Sequence, residues 1–215
     1  MHTARHIMLP EPTSRRPLKS RDILIFQKLA ARLAKAGVRA DAISAAGLLF
    51  GLASGAVIAA TFFFKPPVEN LLWLAGGILV QLRLLSNMLD GMVAVEGGQK
   101  SKFGPLWNEI PDRLSDSATL IGLGYATGGV PQLGWLAALL AMFTAYIRAI
   151  GASNGAGGAF LGWCSKPRRM FLVTLACIAG AAGFAVLAIP IVLWLIVAGC
   201  VWTCAQRINW IAHKL

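Results

Sequence analysis

Six apolar stretches succeed one another along the chain, over 42–64, 71–95, 105–127, 133–151, 170–188 and 189–208. Each is about the twenty residues that a helix needs to cross the hydrocarbon core of a bilayer. Ahead of them, over 21–36, the pattern changes. Ile23, Phe26, Ala30 and Leu33 share one helical face, Arg21, Lys28, Arg32 and Lys35 gather on another, and Gly37 follows as a stop. This segment is expected to lie in the membrane interface, an ordinary soluble amphipathic helix being the alternative. The residues before it, 1–20, hold three prolines and several basic residues without any period, and are expected to form a flexible basic arm. No cleavable leader is expected ahead of the first apolar run, and 21–215 are expected to make one membrane domain. The predicted fold is an all-α integral membrane protein, six transmembrane helices behind an N-terminal amphipathic interfacial helix.

Charge concentrates where the second and third stretches meet. Of nine acidic residues in the chain, five (Asp90, Glu96, Glu109, Asp112 and Asp116) fall within 83–116. On one helix Asn87, Asp90 and Ala94 are spaced to share a face, and on the next Asn108, Asp112 and Asp116 are spaced to share another. Two polar faces at matching depth then meet across a helical hairpin. The connecting loops set the orientation. Lys100 and Lys102 follow the second stretch, Lys166, Arg168 and Arg169 the fourth, and Lys214 the sixth, while the opposite loops hold only Lys65. Both termini are therefore expected on the cytoplasmic side, in a bacterial inner membrane.

Composition agrees with burial in lipid: 57% of residues are hydrophobic and 13% charged, too apolar for an ordinary soluble domain. A formal net charge of +11 raises the question of nucleic acid, but nine of the twenty Lys and Arg residues precede Asp41. That placement fits anchoring to anionic lipid, and no nucleic-acid partner is expected. The four cysteines (Cys164, Cys177, Cys200 and Cys204) show no CxxC pairing and are expected to be small core residues. Trp73, Trp107, Trp135, Trp163, Trp202 and Trp210 fall toward the ends of apolar stretches and are expected to anchor the interface.

A carboxylate inside the membrane is costly unless it faces a wet cavity, a partner or a metal. Clustered carboxylate and carbonyl oxygens suit a hard divalent cation, Mg2+ or Mn2+, and such an ion clamps phosphate. Gly91 allows close approach to the backbone, and Gly104 with Pro105 makes a turn into a helix start. Pro111 either kinks the third stretch beside the site or is simple variation. Arg83, one turn before Asn87, is expected to pair with Asp90 or to snorkel.

At these residues the chain resembles the CDP-alcohol phosphotransferase family, membrane enzymes of phospholipid synthesis. The family pattern is DxxDGxxAR, then about eight residues, then GxxxDxxxD. Here Asn87, Asp90, Gly91, Ala94 and Val95 are followed, after eight residues, by Gly104, Asn108 and Asp112. The spacing is kept throughout; the first and third aspartates are asparagines and the arginine is Val95. The block Asn108–Arg113 resembles a variant branch with asparagines at the same two positions.

The resemblance implies that the four motif positions, Asn87, Asp90, Asn108 and Asp112, hold metal and CDP together with Gly91, Ala94 and Gly104. It implies that Asp112 is the general base on the acceptor hydroxyl. With two carboxylates lost, one divalent ion is expected rather than two, chiefly on Asp90 and Asp112, with Glu96, Glu109 and Asp116 as compensating charges. Arg148, Lys166, Arg168 and Arg169 correspond to basic groups that bind a phosphorylated acceptor, with the positive-inside pattern as their alternative explanation. The implied reaction moves a phosphatidyl group from CDP-diacylglycerol, or another CDP-alcohol, to an alcohol acceptor in the membrane and releases CMP. A homodimer is also implied, and the small residues Gly122, Gly124, Ala126, Gly128, Gly129 and Gly134 allow close helix contact within or between subunits. Two other functions stay open: a silent relative that binds nucleotide or lipid and scaffolds a partner, and a prenyltransferase with aspartate-rich helices, whose folds need about nine spans against the six here.

Overall fold

In the computed structural model, which describes residues 24–96 and 104–215, all regular structure among the described residues is helical. The side chains of Glu96, Pro105, Trp107 and Asn108 lie outside that description. The helices are α1 (Leu24–Lys35), α2 (Ala40–Ala60), α3 (Val68–Glu96), α4 (Gly104–Tyr125), α5 (Pro131–Ser153), α6 (Lys166–Ala181) and α7 (Ala185–Ala212), with a single 3-10 turn after α2. The six long helices pack as a ring in the order α2, α3, α6, α7, α5, α4, and α4 closes back on α2. α1 lies against α3, where its Ala30 packs on Met88, Leu89, Met92 and Val93. A helix occupies Leu24–Lys35 within the stretch expected to be amphipathic, and Gly37 ends it with φ 75°, Val38 N–H reaching the carbonyl of Leu33 at 3.0 Å.

Small residues decide how closely the ring closes. Gly47, Gly51 and Gly55 recur every fourth residue along the buried face of α2. A Cβ on Gly51 would fall 2.1 Å from the Cβ of Ser115, and one on Gly55 would fall 2.3 Å from the carbonyl oxygen of Ala118. α2 and α4 therefore meet almost backbone to backbone, as small-residue seams allow in lipid. Ser54 and Thr119 share a hydrogen bond of 2.7 Å across the seam. The glycines expected to permit close contact are used within the chain: Gly122 meets Gly55, Gly124 meets Gly134, and Gly128 meets the backbone of Ala185 and Val186.

Among the described residues, four helical segments are long and apolar enough to cross a membrane, Ala40–Phe63, Val68–Val95, Pro131–Ser153 and Ala185–Ala212. The chain is an all-α integral membrane protein. The other two of the six expected spans differ for separate reasons. α4 carries Glu109, Asp112, Arg113 and Asp116, and α6 is only 16 residues long.

The last two helices also divide at a different place from that expected. The apolar run was expected to break at 188/189, before Pro190, whereas the turn falls at Ala182–Phe184. Gly183 takes φ 87° and Phe184 N–H closes on the carbonyl of Ala179 at 2.9 Å. Pro190 instead sits in the second turn of α7, where it costs one backbone bond.

The core is apolar and lies between the helices of the ring. Trp73, expected at the interface, is fully buried there with its ring against Gly180, which leaves no room for a Cβ. Trp135, Trp163 and Trp202 are exposed, as interface anchors would be. All four cysteines are buried and free.

Candidate active site

One end of the ring is polar. The starts of α2, α4 and α6 and the ends of α3, α5 and α7 come together there, so residues far apart in sequence converge. Asp90, near the end of α3, is buried and accepts a hydrogen bond of 2.7 Å from Ser44 Oγ in the first turns of α2 and one of 2.5 Å from the Gly91 N–H. Across from it Asp112 of α4 is held by four groups. Lys166 Nζ pairs with its Oδ2, Arg83 Nη2 lies 3.3 Å from its Oδ1, and Arg113 Nη2 lies 3.7 Å from its Oδ2. Asn87 completes the set: in the amide orientation that satisfies both neighbours, its Nδ2 donates to Asp112 Oδ1 at 2.7 Å and its Oδ1 accepts from Lys166 at 2.6 Å. Ser44, Arg83, Asn87, Asp90, Pro111, Asp112 and Ser115 line a small cleft.

A second layer lies beneath. Asp116, one helical turn beyond Asp112, meets Arg83 Nη2 at 2.5 Å and Arg169 Nη2 at 3.3 Å. All three are no more than 2% exposed. Arg83 also donates from Nε to Ser115 Oγ at 2.9 Å, and Arg169 from Nη1 to the carbonyl of Cys164 at 2.8 Å. This buried lattice ties α3 and α6 to α4. At the rim, Glu109 pairs with Arg148 of α5 and lies 3.5 Å from Arg113, while the Arg148 guanidinium sits 5.4 Å over the ring of Phe160.

Of the residues expected from sequence, Asn87, Asp90 and Asp112 line the cleft itself, with the Gly91 N–H bonded to Asp90 and Lys166 paired with Asp112 beside it. Asp116 and Arg169 lie a layer deeper and face each other, and Glu109 and Arg148 form a rim pair. Arg168 is exposed and turns to the carbonyl of Trp163 at 3.0 Å. Ala94 lies in the last turn of α3 and Gly104 opens α4, while the side chains of Asn108 and Glu96 fall outside the described residues. Arg83 pairs with Asp112 and Asp116, where Asp90 or snorkelling was expected. Two partners had no expectation attached. Ser44 and Ser115 are ordinary hydroxyls in apolar helices, and Ser44 meets an aspartate 46 residues away, a pairing that no local period signals.

The donors around the cleft are two carboxylates, an amide and a hydroxyl, all hard oxygens of the kind that suit Mg2+ or Mn2+. Among the described residues no three His, Cys, Asp or Glu side chains converge as a metal cluster. Asp90 and Asp112, with the amide oxygen of Asn87, are the oxygens here that could serve a divalent cation.

No protein-family model matches the chain. Curated relatives do. It is 30% identical over 195 residues to a phosphatidylinositol phosphate synthase of Mycolicibacterium smegmatis, covering 86% of this chain and 84% of that protein. The chain belongs to the CDP-alcohol phosphatidyltransferase family. It is also 26% identical over 135 residues to an archaetidylinositol phosphate synthase of Pyrococcus horikoshii, covering 62% of this chain and 71% of that one. Among solved structures, the fold is similar to that of the Mycobacterium tuberculosis phosphatidylinositol phosphate synthase with CDP-DAG bound, at TM-score 0.72 and 22% identity over 88% of this chain and 94% of that one. The same enzyme in complex with manganese and citrate superimposes equally well, at TM-score 0.72 and 22% identity over 87% of this chain and 88% of that one. Within this phosphatidyltransferase family the departures are local, two asparagines and a valine in a motif whose spacing is intact.

Proposed function

We propose that the chain transfers a phosphatidyl group from CDP-diacylglycerol, or a closely related CDP-alcohol, to an alcohol acceptor and releases CMP. The acceptor oxygen attacks the phosphorus that bears the diacylglycerol, its proton passes to the Asp112 carboxylate, and the bond from that phosphorus to the oxygen of CMP breaks. The observation that carries this reading is the convergence on Asp112. Asn87, Arg83, Arg113 and Lys166, from three helices, fix both its oxygens at the wall of the cleft, which is the pre-orientation a general base needs. A divalent cation, held by Asp90 and Asp112 with Asn87 and Asn108 as neutral ligands, would neutralise the diphosphate and polarise the leaving oxygen. Gly91, Ala94 and Gly104 lie where the motif brings backbone close to the nucleotide.

The same reading gives the acceptor a charged head. Relatives are named for an inositol phosphate product, and Lys166 and Arg168 in the first turn of α6, with Arg148 at the rim, supply the cations for a phosphorylated alcohol. Arg169 and Asp116 brace them from within, and Glu109 holds Arg148. We further propose that 21–215 form one unit, with α2 to α7 all crossing the membrane, α1 in the interface, 1–20 as a basic arm, and both termini cytoplasmic in a bacterial inner membrane. The working form is a homodimer. The alternation of helix ends at the site supports six crossings: α4 and α6 are the shorter or more polar members of a ring that shields them on both sides.

The test is CMP release by purified protein in nanodiscs with Mn2+, CDP-diacylglycerol and a panel of alcohols with and without a phosphate. Acceptor-dependent CMP release is the expected result. CDP binding without CMP release from any acceptor would move the chain to the nucleotide-binding, non-catalytic reading.

A further inference from the structure

Arg83 is not part of the motif, yet it is a buried cation that lines the cleft. It stands one turn before Asn87 on α3, is 2% exposed, and forms part of the cleft wall beside Asn87, Asp90 and Asp112. Its guanidinium is divided. Nε is committed to Ser115 Oγ, and Nη2 to the Asp112 carbonyl at 3.2 Å and to the carboxylates of Asp112 and Asp116. Nη1 has no acceptor among the described residues. The Nε atoms of Arg113 and Arg169 are likewise without an acceptor among the described residues, but of the three guanidinium groups Arg83 is the one that lines the cleft. Its open donor belongs to a group already anchored by its other donors, on the wall of a cleft that Asp90 and Asp112 share.

The charge count points the same way. Asp90, Asp112 and Asp116 face Arg83, Arg113, Lys166 and Arg169, and the rim adds Glu109 and Arg148, so cations outnumber carboxylates before any metal arrives. With asparagine at positions 87 and 108, the site lacks the negative charge that a second divalent ion requires, but it already holds a fixed positive one. Unlike an exchangeable ion, a guanidinium cannot be released or deprotonated, and its planar fork matches phosphate oxygens.

We propose that Arg83 binds the diphosphate of the CDP-linked donor, with Nη1 donating to a phosphate oxygen, and that this guanidinium supplies the charge neutralisation for which the four-aspartate pattern would recruit a second divalent cation. The proposal rests on the cleft being the donor site, as set out above, and makes Arg83 a substrate-binding residue in addition to its hold on α4. Two consequences are measurable. The wild-type chain binds one Mn2+, and the preference for a diphosphate over a monophosphate depends on Arg83.

The experiment titrates CDP and CMP into the full chain in nanodiscs at saturating Mn2+, by calorimetry, for the wild type, Arg83→Gln and Arg83→Lys, with bound Mn2+ counted by electron paramagnetic resonance. Arg83→Gln keeps a donor toward Ser115 and loses the charge; its CDP-over-CMP ratio is expected to fall at least tenfold. Arg83→Lys keeps the charge on a single ammonium that cannot span α4 and a phosphate together, and its ratio is expected to fall by about threefold. If Arg83→Gln does not fold, as judged by its thermal midpoint, Arg83→Lys decides alone. An unchanged ratio in the folded variants, an equal loss of CDP and CMP, or two equally occupied Mn2+ sites in the wild type would each overturn the proposal. Failure of the wild type to bind CDP at all would bring down the donor-site reading itself, and Arg83's part with it.

Discussion

Asp112 and Asp116 stand one turn apart on α4 and are set to different tasks. Asp112 opens onto the cleft, whereas Asp116 is enclosed between Arg83 and Arg169. Asp112→Asn is expected to lower turnover by about 10²–10⁴, the usual contribution of a positioned acid or base, with a smaller fall in the thermal midpoint than Asp116→Asn, because Asn keeps its hydrogen bonds at the cleft and Arg83 keeps Asp116. Asp116→Asn strips the buried Arg169 of its carboxylate partner and Arg83 of one of its two, and is expected to cost about 3–5 kcal/mol of stability, seen as a large fall in that midpoint. Equal behaviour of the two variants in both assays would contradict the division of labour. At this scale the sequence was legible wherever spacing mattered: Asp90, Asp112 and Asn87 follow from helical periods and the family pattern. The roles of Arg83, Arg169 and Ser44 were not, because each depends on a partner from another helix. A basic residue beside a loop looks the same whether it binds a phosphate or, like Arg169, turns inward.

Between elements, the contact that fixes the site is the α2–α4 seam. Gly55→Ala would drive a Cβ into the carbonyl oxygen of Ala118, which can yield only if a helix moves, whereas Gly76→Ala would meet the Cγ1 of the Ile58 side chain at 2.5 Å. The first is expected to lower the thermal midpoint clearly more than the second, by several degrees, given about 2–4 °C per kcal/mol for a chain of this size. It should also depress activity by displacing Asp112. Comparable midpoints for the two would show that the seam is not rigid. Helix existence was readable from apolar length. The break between α6 and α7 was not, since Pro190 is the stronger local signal and Gly183 acts only through its left-handed backbone. The burial of Trp73 was likewise hidden, because a tryptophan near a helix end serves equally as an anchor or, when a glycine such as Gly180 lies opposite, as core.

For the molecule as a whole, the ring places the ends of α5 and α7 at the polar pole with the site. A reporter fused after Leu215 and one inserted at Gly157 are both expected to be cytoplasmic, and an external signal from either would break the six-crossing arrangement. In mild detergent at micromolar concentration the mass is expected to be that of two chains, with a single-chain mass counting against the dimer.

The ring order also has a bearing on how the protein is made. α4 is too charged to enter the bilayer on its own apolarity, and Arg169, one of the two cations that embrace Asp116, is synthesised 53 residues after it. Arg83 is made earlier, on the preceding helix, and α2, with its glycine seam, is earlier still. The ribosome thus delivers a counter-ion and a docking groove before it delivers the helix that needs them. In the six-crossing arrangement proposed above, α4 would partition as the last member of a three-helix unit, leaving α5 to α7 to close the ring around a site whose first half is already in place.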